Sequence, residues 1–190
     1  MTYPPTPGRV PAGATPEGDG IVIGDGPVRV DAFIDFLCPY CRQFELSSAA
    51  ALAGLVADRR ASVVYHPMNF LDGASTTNYS TRAAAASGCA ADRGGFLDYT
   101  HELFVRQPPE GGPGLSDAEL AGLGGAAGLA DAAFAACLSD GPYLDWPAYV
   151  TARATAAGVH GTPTVLVAGA EVGPDPQAIT GAVARAGGTR

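Results

Sequence analysis

The chain contains no lysine, and all 11 of its basic side chains are arginine. Against 19 acidic residues this leaves a net charge of −8. No basic stripe exists, which excludes nucleic acid as a partner. The missing lysine goes with abundant alanine and glycine and reads as genomic base composition, while the acidity reads as a soluble surface. Long apolar runs are missing too: none approaches the ~20 residues that cross a bilayer. The opening MTYPPTPGRVPAGATPEGDG lacks the apolar core of a signal peptide and reads as a flexible Pro/Gly-rich leader over residues 1–19. Cysteine is scarce, with only Cys38, Cys41, Cys89 and Cys137. One close pair and two distant singles lack the second ligand pair of a usual zinc site, so no metal is expected. Instead the pattern suits a redox motif plus a separate structural disulfide.

What is present is a regular alternation of elements. Gly20–Gly24 gives a short strand, and Val28–Phe36 alternates with period 2, its second face still carrying Phe33, as a central strand does. Cys41, Phe44, Ser48, Ala51, Leu52 and Leu55 then recur at helical spacing up to Asp58. Ala61–His66 reads as a second long strand, which makes a βαβ unit with a parallel pair. Helical patterns follow at Asn78–Ala91, at Phe96–Gln107, after the capping-box signature Ser116–Glu119, at Asp131–Leu138 and at Tyr143–Ala157. Strand returns at Thr164–Val167, pairs again through Ala170–Val172, and a last helix starts at Asp175-Pro176. The prediction is an α/β fold of leader (1–19), βαβ half (20–75), all-helical insertion (76–158) and ββα half (159–190).

Two cysteines three apart at a helix start, Cys38-Pro39-Tyr40-Cys41, can close a small disulfide ring. The unsatisfied N–H groups and dipole at a helix N-terminus favour an anion. A cysteine there can have its pKa lowered from about 8.5 into the ~3.5–7.5 range. Cys38 is expected at the cap, exposed and reactive, with Cys41 one turn inside and shielded. A substrate thiolate would attack Cys38, a second would resolve the mixed disulfide, and the cysteine pair would be left reduced; the reverse runs from Cys38 attacking a substrate disulfide. A CxxC alone also fits half a zinc site or a plain structural staple. Its context narrows it: strand, CxxC, helix, then Gly161-Thr162-Pro163-Thr164 before a strand. The βαβ unit places that strand beside the CxxC, so a cis Thr162-Pro163 bond is expected there. It would offer the backbone of Thr162 to an extended substrate strand.

With FIDFLCPYCRQFE, FLDYTHELFVRQ and GVHGTPTVLVAG in this order, the chain resembles the DsbA family of thioredoxin-like oxidoreductases from about Gly20 to its end. The long helical segment between Cys41 and Pro163 matches the insertion of that family, which thioredoxins and glutaredoxins lack. The resemblance implies a thioredoxin-like fold, Cys38 as nucleophile, Cys41 as resolving thiol and Pro163 as the cis-proline. It also implies a quinone-linked membrane oxidase as recycling partner. Two positions depart from the best-known oxidases of the family, which carry His where this chain has Tyr40 and Val where it has Thr162. Both tune thiolate stability, so strong oxidase character does not carry over.

Other residues have two readings each. Cys89 and Cys137 form a disulfide or stay as buried thiols; a bond would close a loop of roughly fifty residues, add a few kcal/mol and point to an oxidising compartment. Asp35 either relays a proton to Cys41 or is a strand-end carboxylate. Glu45 reads as surface, His66 and His101 as structural, and His160 as a candidate neighbour of Cys38. Phe36, Leu37, Tyr40 and Phe70 suggest an apolar rim, or core. The leading function is a protein disulfide oxidoreductase, a dithiol oxidase outside the cytoplasm (cell envelope or secreted, with signal or anchor outside this chain). It would act on extended protein or peptide substrates as a monomer with no cofactor. A cytoplasmic or small-thiol reductase is the alternative, and a non-catalytic binding or chaperone module the third reading.

Overall fold

The computed structural model describes residues 6–188. Its centre is β2 (Val28–Ile34), a strand buried on both faces except at Arg29. On one side β2 runs parallel to β3 (Ala61–Pro67), with Val30 opposite Val63 and Ala32 opposite Tyr65. On the other it runs antiparallel to β4 (Thr164–Val167), with Val30 opposite Val167. Short edge strands β1 (Ile21–Ile23) and β5 (Ala170–Val172) complete the sheet in the order β1-β3-β2-β4-β5. Helix α1 (Pro39–Ala57) makes the crossover from β2 to β3 and packs with α7 (Pro176–Gly187). Both β3 and β4 therefore flank the strand that leads into Cys38.

Between β3 and β4 the chain forms a 3-10 turn (Asp72–Ala74) and five helices: α2 (Tyr79–Asp92), α3 (Phe96–Val105), α4 (Asp117–Ala126), α5 (Ala132–Asp140) and α6 (Trp146–Ala156). Helix α2 is buried on nearly every side, which its run of small residues permits. Gly88 shows why the size matters: a Cβ there would lie 2.9 Å from the Pro11 ring and 3.0 Å from Tyr143. Aromatic contacts close the insertion onto the sheet and the segment that follows β2, Phe96 against Tyr65 of β3 at 5.6 Å and Phe104 against Phe36 at 5.1 Å between ring centroids. A disulfide joins Cys89 on α2 to Cys137 on α5.

Residues 6–19 differ from the flexible leader read from composition; residues 1–5 of that leader lie outside the described residues. Ala14 bridges Ile21 at the sheet edge. The Trp146 indole donates to the Gly18 carbonyl (2.7 Å), the Tyr149 hydroxyl to that of Glu17 (2.8 Å), and Arg153 holds the Asp19 carboxylate at 2.8 Å. His66 joins this strap from β3, with Nδ1 at the Asp19 carbonyl (2.6 Å), Nε2 at Asp31 (2.9 Å) and its ring stacked on Phe33. A Pro/Gly-rich segment has no periodicity of its own, and here side chains far along the chain satisfy its backbone.

Candidate functional site

The site begins where β2 ends. Asp35, Phe36 and Leu37 carry the chain from the sheet to Cys38, the N-cap of α1 with extended backbone (φ −73°, ψ 119°). Pro39 at the first helical position has no N–H to leave unsatisfied. The Cys38 carbonyl accepts the first helical bond from the Arg42 N–H (3.1 Å). The N–H groups of Tyr40 and Cys41 are thus the orphan donors nearest the Cys38 side chain. As a thiol, Cys38 makes no capping bond to them and donates instead to the Thr162 carbonyl at 3.3 Å. The Thr162-Pro163 peptide bond is cis.

Several donors converge on the Cys38 sulfur once its proton leaves. The Cys41 thiol is the strongest, and the Thr162 side chain and the N–H groups of Cys41 and Tyr40 add to it; together they outweigh burial and bring Cys38 down to about 6. Thr162 acts in both states, its carbonyl accepting from the thiol and its side chain favouring the thiolate. Cys41 moves the other way. Burial raises its thiol well above the usual range, and the neighbouring Cys38 adds to that; an N–H bond from Asp35 (3.4 Å) only partly offsets them. The arrangement separates two chemically identical thiols into an anion and a held proton.

Asp35 is wholly buried and accepts from the Ser80 hydroxyl (2.6 Å), the Leu37 N–H (2.8 Å) and the Leu71 N–H (2.8 Å). Burial still dominates and raises its carboxyl from 3.8 to about 6, with the Cys38 charge contributing. Since the folded pKa lies above the unfolded one, the associated stability is complete below pH 3.8 and is lost as pH rises toward 6. At about 1.4 kcal/mol per pKa unit the loss is about 3 kcal/mol. We expect urea unfolding to show wild type losing about that much relative to Asp35→Asn between about pH 4 and pH 7. Parallel pH curves for the two proteins would contradict this.

Other expectations fare differently. Cys38 is not exposed: its residue is 4% accessible and its sulfur lies 3.3 Å from the Thr162 carbonyl, while a groove of about 320 Å³ bordered by Tyr40, Phe44, Thr162, Pro163 and Pro174 runs beside the same Thr162-Pro163 corner. Phe36 and Leu37 are fully buried core rather than rim, whereas Tyr40 and Phe70 are exposed. Glu45 is buried, not on the surface; it follows Cys41 by one turn on the inward stripe of α1, faces His101 at 3.4 Å, and burial raises its carboxyl. His160 is exposed, and the hydrogen bonds of the two cysteine sulfurs among the described residues go to Asp35 and Thr162 instead. Among the described residues no group of three or more His, Cys, Asp or Glu side chains gathers as a metal site. Two contributors escaped the sequence reading: Ser80, which bonds Asp35 from α2, and Gln107, just past the end of α3, whose amide donates to the Phe36 and Cys38 carbonyls. A polar residue at a helix end carries no signal for such a bond.

Comparison with known proteins gives this geometry a context. The family model described as "Thioredoxin" matches residues 17–184. The reduced crystal structure of DsbA from Mycobacterium tuberculosis is 30% identical and superposes with a TM-score of 0.78 over 90% of this chain and 93% of that one. The reduced disulfide bond oxidoreductase DsbG of the same organism is 33% identical, with a TM-score of 0.71 over 81% of this chain and 80% of that one. Serine/threonine-protein kinase PknE of M. tuberculosis is 37% identical over 135 residues, which are 66% of this chain and 24% of the kinase. The chain thus spans about a quarter of the length of the curated relatives it matches. Family model, sheet topology and cysteine pair agree: the chain belongs to the thioredoxin-like superfamily and, within it, to the DsbA family of thiol–disulfide oxidoreductases.

Proposed function

We propose that the chain is a dithiol oxidase, accepting two electrons from a pair of protein thiols through Cys38 and Cys41. The observation that carries the reading is the separation of the two thiols, Cys38 lowered to about 6 and Cys41 raised. A substrate thiolate attacks the Cys38 sulfur of the oxidised pair; the Cys38–Cys41 bond breaks, and its electron pair leaves on Cys41, which takes a proton. A second substrate thiolate attacks the substrate sulfur of the mixed disulfide and expels Cys38 as a thiolate. The substrate gains a disulfide and the site two reduced sulfurs. A low-pKa sulfur is the better leaving group, so the second step favours release of oxidised substrate. Extended protein or peptide segments are the substrates that suit the groove at Thr162-Pro163, pairing with backbone rather than with particular side chains. Return to the disulfide requires an external electron acceptor, for which a quinone-linked membrane oxidase is our reading. The Cys89–Cys137 bond supports an oxidising compartment outside the cytoplasm.

The reduction potential of the Cys38/Cys41 pair in glutathione buffers tests the direction. A value well above about −270 mV is expected for an oxidant. A value at or below it would make the chain a reductant.

A further inference from the structure

The carbonyls of Phe36 and Cys38 emerge beyond the end of β2, outside the sheet ladder, and the Phe36 residue is wholly buried. One amide group serves both. The Gln107 Nε2 donates to the Phe36 carbonyl at 3.0 Å and to the Cys38 carbonyl at 2.9 Å, so each of its hydrogens holds one oxygen. The same short segment is fixed on its N–H side by Asp35, through its side chain to Leu37 and its carbonyl to Cys38 (3.1 Å). The Cys38 carbonyl and the Cys38 side chain hang from one α-carbon, so a grip on the carbonyl also sets where the sulfur sits relative to Thr162 and the helix N–H groups.

We propose that Gln107 is a positioning residue for Cys38, through which the helical insertion sets the thiolate stability of the pair. The inference rests on the oxidoreductase reading above and deepens it. Gln107 does two physical things. It occupies the negative ends of two carbonyl dipoles beside a developing anion, and it fixes the backbone of the N-cap residue so that the orphan donors converge on the sulfur. Without it, the buried Phe36 carbonyl loses that donor, the Cys38 carbonyl keeps only its bond from the Arg42 N–H, and the segment can shift within its remaining bonds to Asp35. The Cys38 thiolate then loses part of its stabilisation, and the reduced pair with it.

Two variants separate donation from packing. Gln107→Met keeps the shape and removes both donors; Gln107→Glu keeps the shape and turns a carboxylate toward the same carbonyls. We expect Gln107→Met to raise the Cys38 alkylation midpoint by about one pH unit. We also expect it to reduce the equilibrium constant for oxidising glutathione by about tenfold, or about 30 mV for a two-electron couple. Gln107→Glu should exceed both changes, while circular dichroism shows the fold intact. Folded variants whose midpoint and potential both stay within about twofold of wild type would overturn the inference, as would a Gln107→Glu protein of wild-type potential. Wild type in the same buffers keeps the two readings apart. A wild-type pair that fails to equilibrate with glutathione removes the oxidoreductase reading and this inference together, whereas an active wild type with unaffected variants removes this inference alone.

Discussion

Cys41→Ser is expected to accumulate a mixed disulfide between Cys38 and a disulfide-bearing peptide, while Cys38→Ser yields none. The asymmetry follows from protonation. With its pKa near 6, Cys38 is about 90% thiolate at pH 7, against about 1% for a thiol titrating at 9.0. Cys41 is buried and raised above 9.0, so in the Cys38→Ser protein less than about 1% of the remaining thiol is reactive. Exchange should fall on the order of a hundredfold or more. In Cys41→Ser the attacking sulfur survives but the resolving one does not, so the intermediate persists. The serine hydroxyl can still donate to the Cys38 sulfur, as the Cys41 thiol does. Cys41→Ala cannot, and should trap more slowly near neutral pH with a higher Cys38 midpoint. Non-reducing gels with intact mass measurement read all three proteins. Equal trapping by Cys38→Ser would place the nucleophile elsewhere.

Removing the Cys89–Cys137 bond should cost about 4 kcal/mol, since the loop it closes spans 48 residues and the unfolded chain gains the corresponding freedom. For a chain of this size that is a fall of roughly 8–16 °C in Tm. The bond ties α2 to α5 at the far end of α2 from Ser80, which bonds Asp35. A Cys89→Ala/Cys137→Ala protein should therefore lose stability while the Cys38 midpoint stays near its wild-type value. Unfolding by heat and by urea, with the active pair alkylated in both proteins, measures the difference. A loss below about 1 kcal/mol would mean that strain or residual unfolded structure cancels the chain-entropy gain.

Much of this was legible in the residues, because periodicity is a local property. The alternation of Val28–Phe36 and the stripe of Cys41, Phe44, Ser48, Leu52 and Leu55 each follow from the geometry of their own element, and the sheet and α1 appear where those patterns lie. Glu45 shares that stripe with Cys41 and Ser48, yet its charge argued for the surface; His101, brought in by α3, faces its carboxyl and offsets only part of the effect of burial. The exposure of Cys38 could not be read locally either, since its neighbour Thr162 lies 124 positions away. The same holds for residues 6–19, whose bonds reach to Asp145, Trp146 and Tyr149. Composition describes what a segment can do alone, and these positions are decided by what comes to meet them.

The direct test is the ultraviolet thiolate absorbance of the reduced protein followed against pH, with alkylated Cys38 as the blank. A midpoint near 6 is predicted for Cys38, with no second thiolate until the solution is well above pH 9. A Cys38 sulfur that titrates near 9, like a thiol with no helix cap and no Cys41 beside it, would contradict the separation of the pair on which the proposed chemistry depends.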